Sequence, residues 1–160
     1  MTLVLTTLPQ RVNFEMPFDV DAAGFNERWW DRRIERVCER AGEFLSLTRD
    51  GEELARAEID RGGIDNICVG LTPASEVVDI VFFEVRDSHR LAGIGAQAID
   101  LIVKRYEGEM LIAFSEEADG FWSGIGWTHH PREDGSRHYR PLFVHDGRVP
   151  AWPVVPIRVR

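Results

Sequence analysis

The stretch that decides the fold is Val77-Val78-Asp79-Ile80-Val81-Phe82-Phe83-Glu84-Val85, followed shortly by Arg90-Leu91-Ala92-Gly93-Ile94-Gly95-Ala96. The first run is rich in β-branched and aromatic residues and reads as a half-buried strand. Past the glycines, Ile94, Ala98, Leu101, Ile102 and Tyr106 recur at helical spacing. A glycine-bearing turn that opens a helix leaves backbone N–H groups unpaired and points the positive end of the helix dipole outward. That combination is an anion site, and phosphate suits it. Two glycines let a phosphate come close to the backbone, and Arg90 adds a forked, charged donor. The spacing excludes two familiar phosphate loops: a dinucleotide fingerprint needs a third glycine where Ala98 stands, and the Gly-Lys-Ser/Thr ending of a P-loop is absent.

Working outward, Met110-Leu111-Ile112-Ala113-Phe114-Ser115 reads as a second apolar strand, followed by Ala118-Asp119-Gly120-Phe121-Trp122-Ser123-Gly124-Ile125-Gly126-Trp127, a stretch that resembles a short helix with paired aromatics in a family named below. Towards the front, Leu3 to Leu8 suits a first strand. Asp21 is a plausible N-cap for a helix carrying Phe25, Trp29, Trp30, Ile34, Val37, Cys38 and Ala41, stopped at Gly42. Strands over 43–48 and 53–59 flank Arg49-Asp50-Gly51-Glu52, whose Asp-Gly is a hairpin signal. Residues 61–76 read as loop, and a last strand lies near 138–145. Prolines 150, 153 and 156 give residues 149–160 an extended character. The expected class is α/β with a mixed sheet flanked by helices, in one domain over 1–160.

Composition agrees with a globular domain. The chain has 160 residues, 44% hydrophobic and 29% charged, with a net charge of −8. No apolar run reaches a membrane span, and no basic region precedes the short apolar start, so a cytoplasmic protein without signal peptide or membrane partner is expected. Cys38 and Cys68 fit no metal or CxxC spacing and read as reduced core residues, although the spacing also permits a bridge between them. His129, His130 and His138 have no carboxylate partners at ligand spacing, so no metal is expected.

The order strand, Arg90-x-x-Gly93-x-Gly95, helix, strand, aromatic helix, Gly126-Trp127 resembles the GNAT superfamily of N-acetyltransferases. The resemblance is carried by residues 77–130. It implies a sheet splayed beside its central strand and acetyl-CoA as cosubstrate in the gap. The pantetheine arm would pair with backbone around Phe83 and Val85, and the pyrophosphate would sit on the amides of Leu91, Ala92, Gly93, Ile94, Gly95 and Ala96. Phe121 and Trp122 would wall the acyl-CoA channel. Dimerisation is common in that superfamily and is a further expectation.

Acetyl transfer to an amine needs a proton acceptor. Asp79, eleven residues before Arg90, matches the position of a glutamate base in the histone-acetyltransferase branch, with a shorter side chain. Glu84 competes with it. Strict alternation puts Asp79, Phe83 and Val85 on one face and Ile80, Phe82 and Glu84 on the other, unless a bulge intervenes. Glu116 and Glu117, just after the second strand, read as a solvated loop. Many relatives in the superfamily protonate the departing thiolate with a tyrosine; here Trp122 stands at that position, and Ser123 or water would have to substitute.

An acidic surface repels nucleic acid and attracts cationic amines. The expected acceptors are therefore small cationic amines or a protein lysine or N-terminus, with no nucleic acid partner. Trp29 or Trp30 would stack on such a cation as substrate-binding residues. The expected function is acyl-CoA-dependent N-acyltransfer. The alternative is an acyl-CoA-binding sensor without turnover, and a third reading is a nucleotide-binding protein of another fold.

Overall fold

The computed structural model describes residues 1–9, 16–26, 42–64, 67–72 and 74–147. Among them, seven strands form one sheet: β1 (Val4–Leu8), β2 (Glu43–Arg49), β3 (Glu52–Ile64), β4 (Ala74–Val85), β5 (Leu111–Phe114), β6 (Thr128–His130) and β7 (Leu142–His145). Their spatial order is β1-β2-β3-β4-β5-β7-β6. Every neighbouring pair is antiparallel except β4 and β5, which run parallel. A parallel pair needs a crossover, and helix α1 (Ile94–Arg105) supplies it. The short helix α2 (Asp119–Gly124) follows β5.

The β2–β3 hairpin turns where its sequence says it should. Asp50 (φ 55) and Gly51 (φ 82) both take the left-handed conformation that a two-residue turn between twisted strands requires. Alternation along the strands then sorts side chains to two faces. Leu45 of β2, Ala57 and Ile59 of β3, Val78 and Ile80 of β4, and Leu111 and Ala113 of β5 pack with Ile99, Ile102 and Val103 of α1. The start of α1 packs separately, Ile94 and Ala98 meeting Leu3, Leu47 and Ala55. Phe44 and Phe82 meet Met16 and Phe18 in one apolar group, and Val77, Ile112, Leu142 and Val144 form another with Ile64 and Cys68.

Several boundaries differ from the sequence reading. No helix starts at Asp21: residues 21–26 are turn and bend, with Gly24 at φ 87. Phe25 there lies against two guanidinium groups, Arg56 at 3.8 Å and Arg86 at 5.0 Å from its ring, and residues 27–41, the rest of the expected helix, lie outside the described residues. The region read as loop over 61–76 is partly strand, since β3 continues to Ile64 and pairs with Ala74. The last strand begins at Leu142 and not near His138, and β6 at Thr128–His130 pairs with it. Trp29, Trp30 and Cys38, and the tail from 148 onward, lie outside the described residues. Cys68 is a buried free thiol, and burial pushes its pKa up.

Candidate active site

The site begins where the sheet opens. β4 and β5 pair only at Val78 with Leu111 and Asp79 with Ile112; β4 then runs on to Val85 without β5 beside it. A cleft of about 240 Å³ fills the gap. Ile80 to Glu84 of β4 form one wall, Phe114 and Glu116 the other, with Phe121 and Trp122 of α2 and Arg90 also lining it.

A bulge on β4 sets which side chains reach this cleft. Glu58 of β3 pairs with Phe82 and Ile59 with Ile80, so Val81 is the extra residue. The exception left open to strict alternation is therefore the case found. Ile80 and Phe83 pack on the α1 side of the sheet, and Phe82 packs on the opposite side with Phe18 and Phe44. Past the bulge Glu84 follows Phe82, two residues on, to that opposite side. Before it, Asp79 follows Val77, which belongs to the group around Ile112 on the same side. Both carboxylates thus share the face away from α1.

They are not equivalent. Glu84 lines the cleft and is only 8% exposed. The Asn26 backbone N–H donates to its Oε1 at 2.8 Å, and Arg90 reaches the same oxygen at 3.3 Å. Its Oε2 is buried with no hydrogen-bond partner among the described residues. Burial pushes the Glu84 carboxyl above its ordinary value, opposed by the Asn26 bond and by the charges of Arg90 and Arg56. Asp79 is half-buried at the apex where the strands part, between Asp60 on β3 and Ile112 on β5, and is not part of the cleft wall.

At the end of β4 the chain makes a 3₁₀ turn (Asp87–His89) and enters the glycine loop. Leu91 (φ 62) and Gly93 (φ 76) are left-handed, and Leu91 is fully exposed. The Gln97 N–H is bonded to the Gly93 carbonyl. Among the described residues, none of the N–H groups from Leu91 through Ala96 has a partner within the chain. The two glycines serve different ends. Gly93 supplies the turn, whereas a Cβ at Gly95 would lie 2.9 Å from Phe121 Cε2, so Gly95 lets α1 close on the aromatic wall. That wall is continuous: Phe83 stacks on Phe121 at 6.0 Å, Phe121 meets Trp122 at 5.1 Å, and Trp122 meets Trp127 at 4.8 Å. Val85 lies against the same loop, 3.5 Å from a Cβ at Gly95.

Sequence reasoning missed Asn26, whose backbone holds Glu84, and Arg140, which pairs with Glu116 at 3.0 Å on the cleft wall. Neither carries a local motif; only the tertiary fold brings them in. Among the described residues no group of three or more His, Cys, Asp or Glu side chains could hold a metal ion. Nor is any described helix long and apolar enough to cross a membrane.

No family model matches the chain, and no curated protein matches it in sequence. Solved structures do match in shape. A tyrosine-to-phenylalanine mutant of the AtaT toxin superposes with a TM-score of 0.64 at 11% identity, over 91% of this chain and 89% of that one. AtaTR bound with acetyl-CoA gives 0.61 at 12% identity, over 89% and 92%. AtaT complexed with acetyl-methionyl-tRNAfMet gives 0.59 at 12% identity, over 88% and 93%. The last corrects one expectation. The expectation of no nucleic acid partner does not hold for the fold, which accommodates one in AtaT. At these identities the likeness establishes architecture: the chain has the GNAT-type fold that these toxins share.

Proposed function

We propose that the chain is an acyl-CoA-dependent N-acyltransferase that transfers acetyl from acetyl-CoA to a primary amine by direct attack in a ternary complex. The observation that carries this reading is the cleft between the parted β4 and β5, with a buried carboxylate on its wall and a run of uncommitted N–H groups at its end. The Leu91–Ala96 amides and the positive end of α1 suit a pyrophosphate. The unpaired edge of β4 around Phe83 and Val85 suits the amide-bearing pantetheine arm, and Phe121 and Trp122 form the apolar wall beside it.

In this reading Glu84 is the base. It takes a proton from the ammonium or from the attacking nitrogen, directly or through one water. The nitrogen bonds to the thioester carbon, a β4 N–H near Val85 stabilises the oxyanion, and the C–S bond breaks. The Trp122 indole N–H is no practical acid, so water returns a proton to the CoA thiolate. Asp79, at the apex, is the second candidate and would act only through water.

The acceptor is an amine. The chain's negative charge favours a small cationic amine or a protein lysine or N-terminus, and the acetylated aminoacyl-tRNA bound by AtaT adds an RNA-borne amine to the panel. The test is free-thiol release from acetyl-CoA across such a panel, with CoA binding measured separately. Amine-dependent release establishes the enzyme. CoA binding with no release by any amine favours the sensor reading instead, and tight ATP binding with no response to CoA overturns both.

A further inference from the structure

Behind the cleft, on the side of β5, β6 and β7, lies a second and larger cavity of about 930 Å³. It adjoins the first: Phe114 and Arg140 line both. Its walls include the buried apolar Ile112 and Leu142 and the ring of Tyr139, which is 61% exposed. A space of this size takes a ring-bearing molecule and is far larger than a bare alkyl amine needs.

Its charge runs against that of the whole chain. Arg132, Arg137 and Arg140 line it, and among the described residues no carboxylate does. Arg132 is held by Asp134 through two bonds of 3.0 and 2.6 Å while lying over the Tyr139 ring, and Arg140 is held by Glu116. Among the described residues, Arg137 has no hydrogen bond or ion pair. A polyamine entering here would lose hydration and meet guanidinium groups, with no uncommitted carboxylate among the described lining residues in return. An anion would meet Arg137.

We propose that this cavity seats the body of the acceptor, and that the acceptor is a primary amine joined to an apolar, ring-sized group bearing an anion. The amine would reach past Phe114 and Arg140 towards Glu84, the ring would lie on Ile112, Leu142 and Tyr139, and the carboxylate or phosphate would pair with Arg137. This inference rests on the acyltransferase reading and names its substrate class.

The test is calorimetric titration of the full chain, with and without CoA, using four amines: tyramine, tyramine phosphate, para-aminoethylbenzoate and spermidine. At least one of the two anionic probes should bind about tenfold more tightly than neutral tyramine, the step of one charge-assisted hydrogen bond, and the tighter of the two names the anion. Spermidine should not bind. Arg137→Ala, with an unchanged melting temperature, should bring the anionic probe to the level of tyramine. Spermidine binding as tightly as the anionic probes, no binding by either anionic probe, or a preference that survives Arg137→Ala overturns the proposal. Binding is read here without turnover. If the probes bind as stated but no amine ever releases thiol, the acyltransferase reading fails and the cavity stands. If spermidine is acetylated and the anionic probes are ignored, the cavity proposal fails and the enzyme stands.

Discussion

Arg90 folds back from the glycine loop onto the end of β4, its Nη2 3.3 Å from Glu84 Oε1 and its Nε donating to the Val85 carbonyl at 3.1 Å. One guanidinium therefore faces both the loop proposed for pyrophosphate and the carboxylate proposed as base. Arg90 is half exposed while Glu84 is buried, so the arginine can leave without unmaking the core. Its positive charge lowers the Glu84 pKa against the dominant effect of burial. Replacing it has two consequences. Arg90→Gln should weaken acetyl-CoA binding by about tenfold, the loss of one charge-assisted contact. It should also raise the Glu84 pKa further. A base works deprotonated, so the acid limb of the kcat/KM profile should move to higher pH. An unmoved limb would separate Arg90 from Glu84.

Glu84 and Asp79 share a face but differ in what surrounds them, and that difference is measurable. Glu84→Gln should abolish most turnover while leaving acetyl-CoA affinity within about twofold, because the carboxamide keeps the shape and the bond from Asn26. General-base catalysis contributes about 10²–10⁴-fold, which sets the size of the loss. Asp79→Asn, outside the cleft wall, should cost less. Single-turnover thiol release on both variants decides between them; a larger loss at Asp79 would move the base to the apex.

The hairpin, the central strand and the glycine loop with its helix were legible because they are local. Asp50-Gly51, the apolar run 77–85 and the helical spacing from Ile94 each declare their conformation over a few residues. A bulge on this strand was an open alternative, but its place at Val81 was not legible. No residue of Ile80-Val81-Phe82 demands it; it follows from how β3 and β4 register, and it alone moves Glu84 to the same face as Asp79. The same holds for Asn26, 58 positions from the carboxylate it holds. The start of the helix read at Asp21 was not legible either, because Phe25 lies against Arg56 and Arg86, both distant in sequence.

The two glycines of the loop should separate on substitution. At Gly95 an added methyl would meet the Phe121 ring at 2.9 and 3.3 Å. Overpacking costs roughly 1–3 kcal/mol, against about 1 kcal/mol gained by replacing glycine in a helix. Gly95→Ala should therefore be near neutral to modestly destabilising in thermal melts, yet weaken acetyl-CoA binding by displacing Phe121. At Gly93 the obstacle is backbone, φ 76, since a Cβ there would meet only Gln97 Nε2 at an ordinary 3.9 Å. Gly93→Ala should cost about 1 kcal/mol of stability with the aromatic wall intact. Equal effects of both on Phe121, read from its ring resonances, would contradict this division.

Arg56 is the last residue that acts at a distance, and its test is the most demanding. It is fully buried on β3, paired with Glu53 at 2.5 Å, bonded to the Asp19 carbonyl at 3.0 Å and set 3.8 Å from the Phe25 ring. Arg86 ties the same segment from outside, donating to the Ala23 carbonyl at 2.7 Å, while the Asp87 N–H donates to the Gly24 carbonyl. Together they hold the chain that presents the Asn26 N–H to Glu84. Removing one partner of a buried pair costs roughly 3–5 kcal/mol, so Arg56→Ala should lower stability strongly. Arg56→Lys retains the charge and loses the fork and the stack, and should leave the protein folded with residues 16–26 loosened. In that variant the Asn26 amide should exchange faster with solvent. Losing its bond removes a lowering influence on the Glu84 pKa, so the acid limb should again rise. Faster exchange with an unmoved pH profile would confine Arg56 to stability; both changes together would make it a positioning residue for the base.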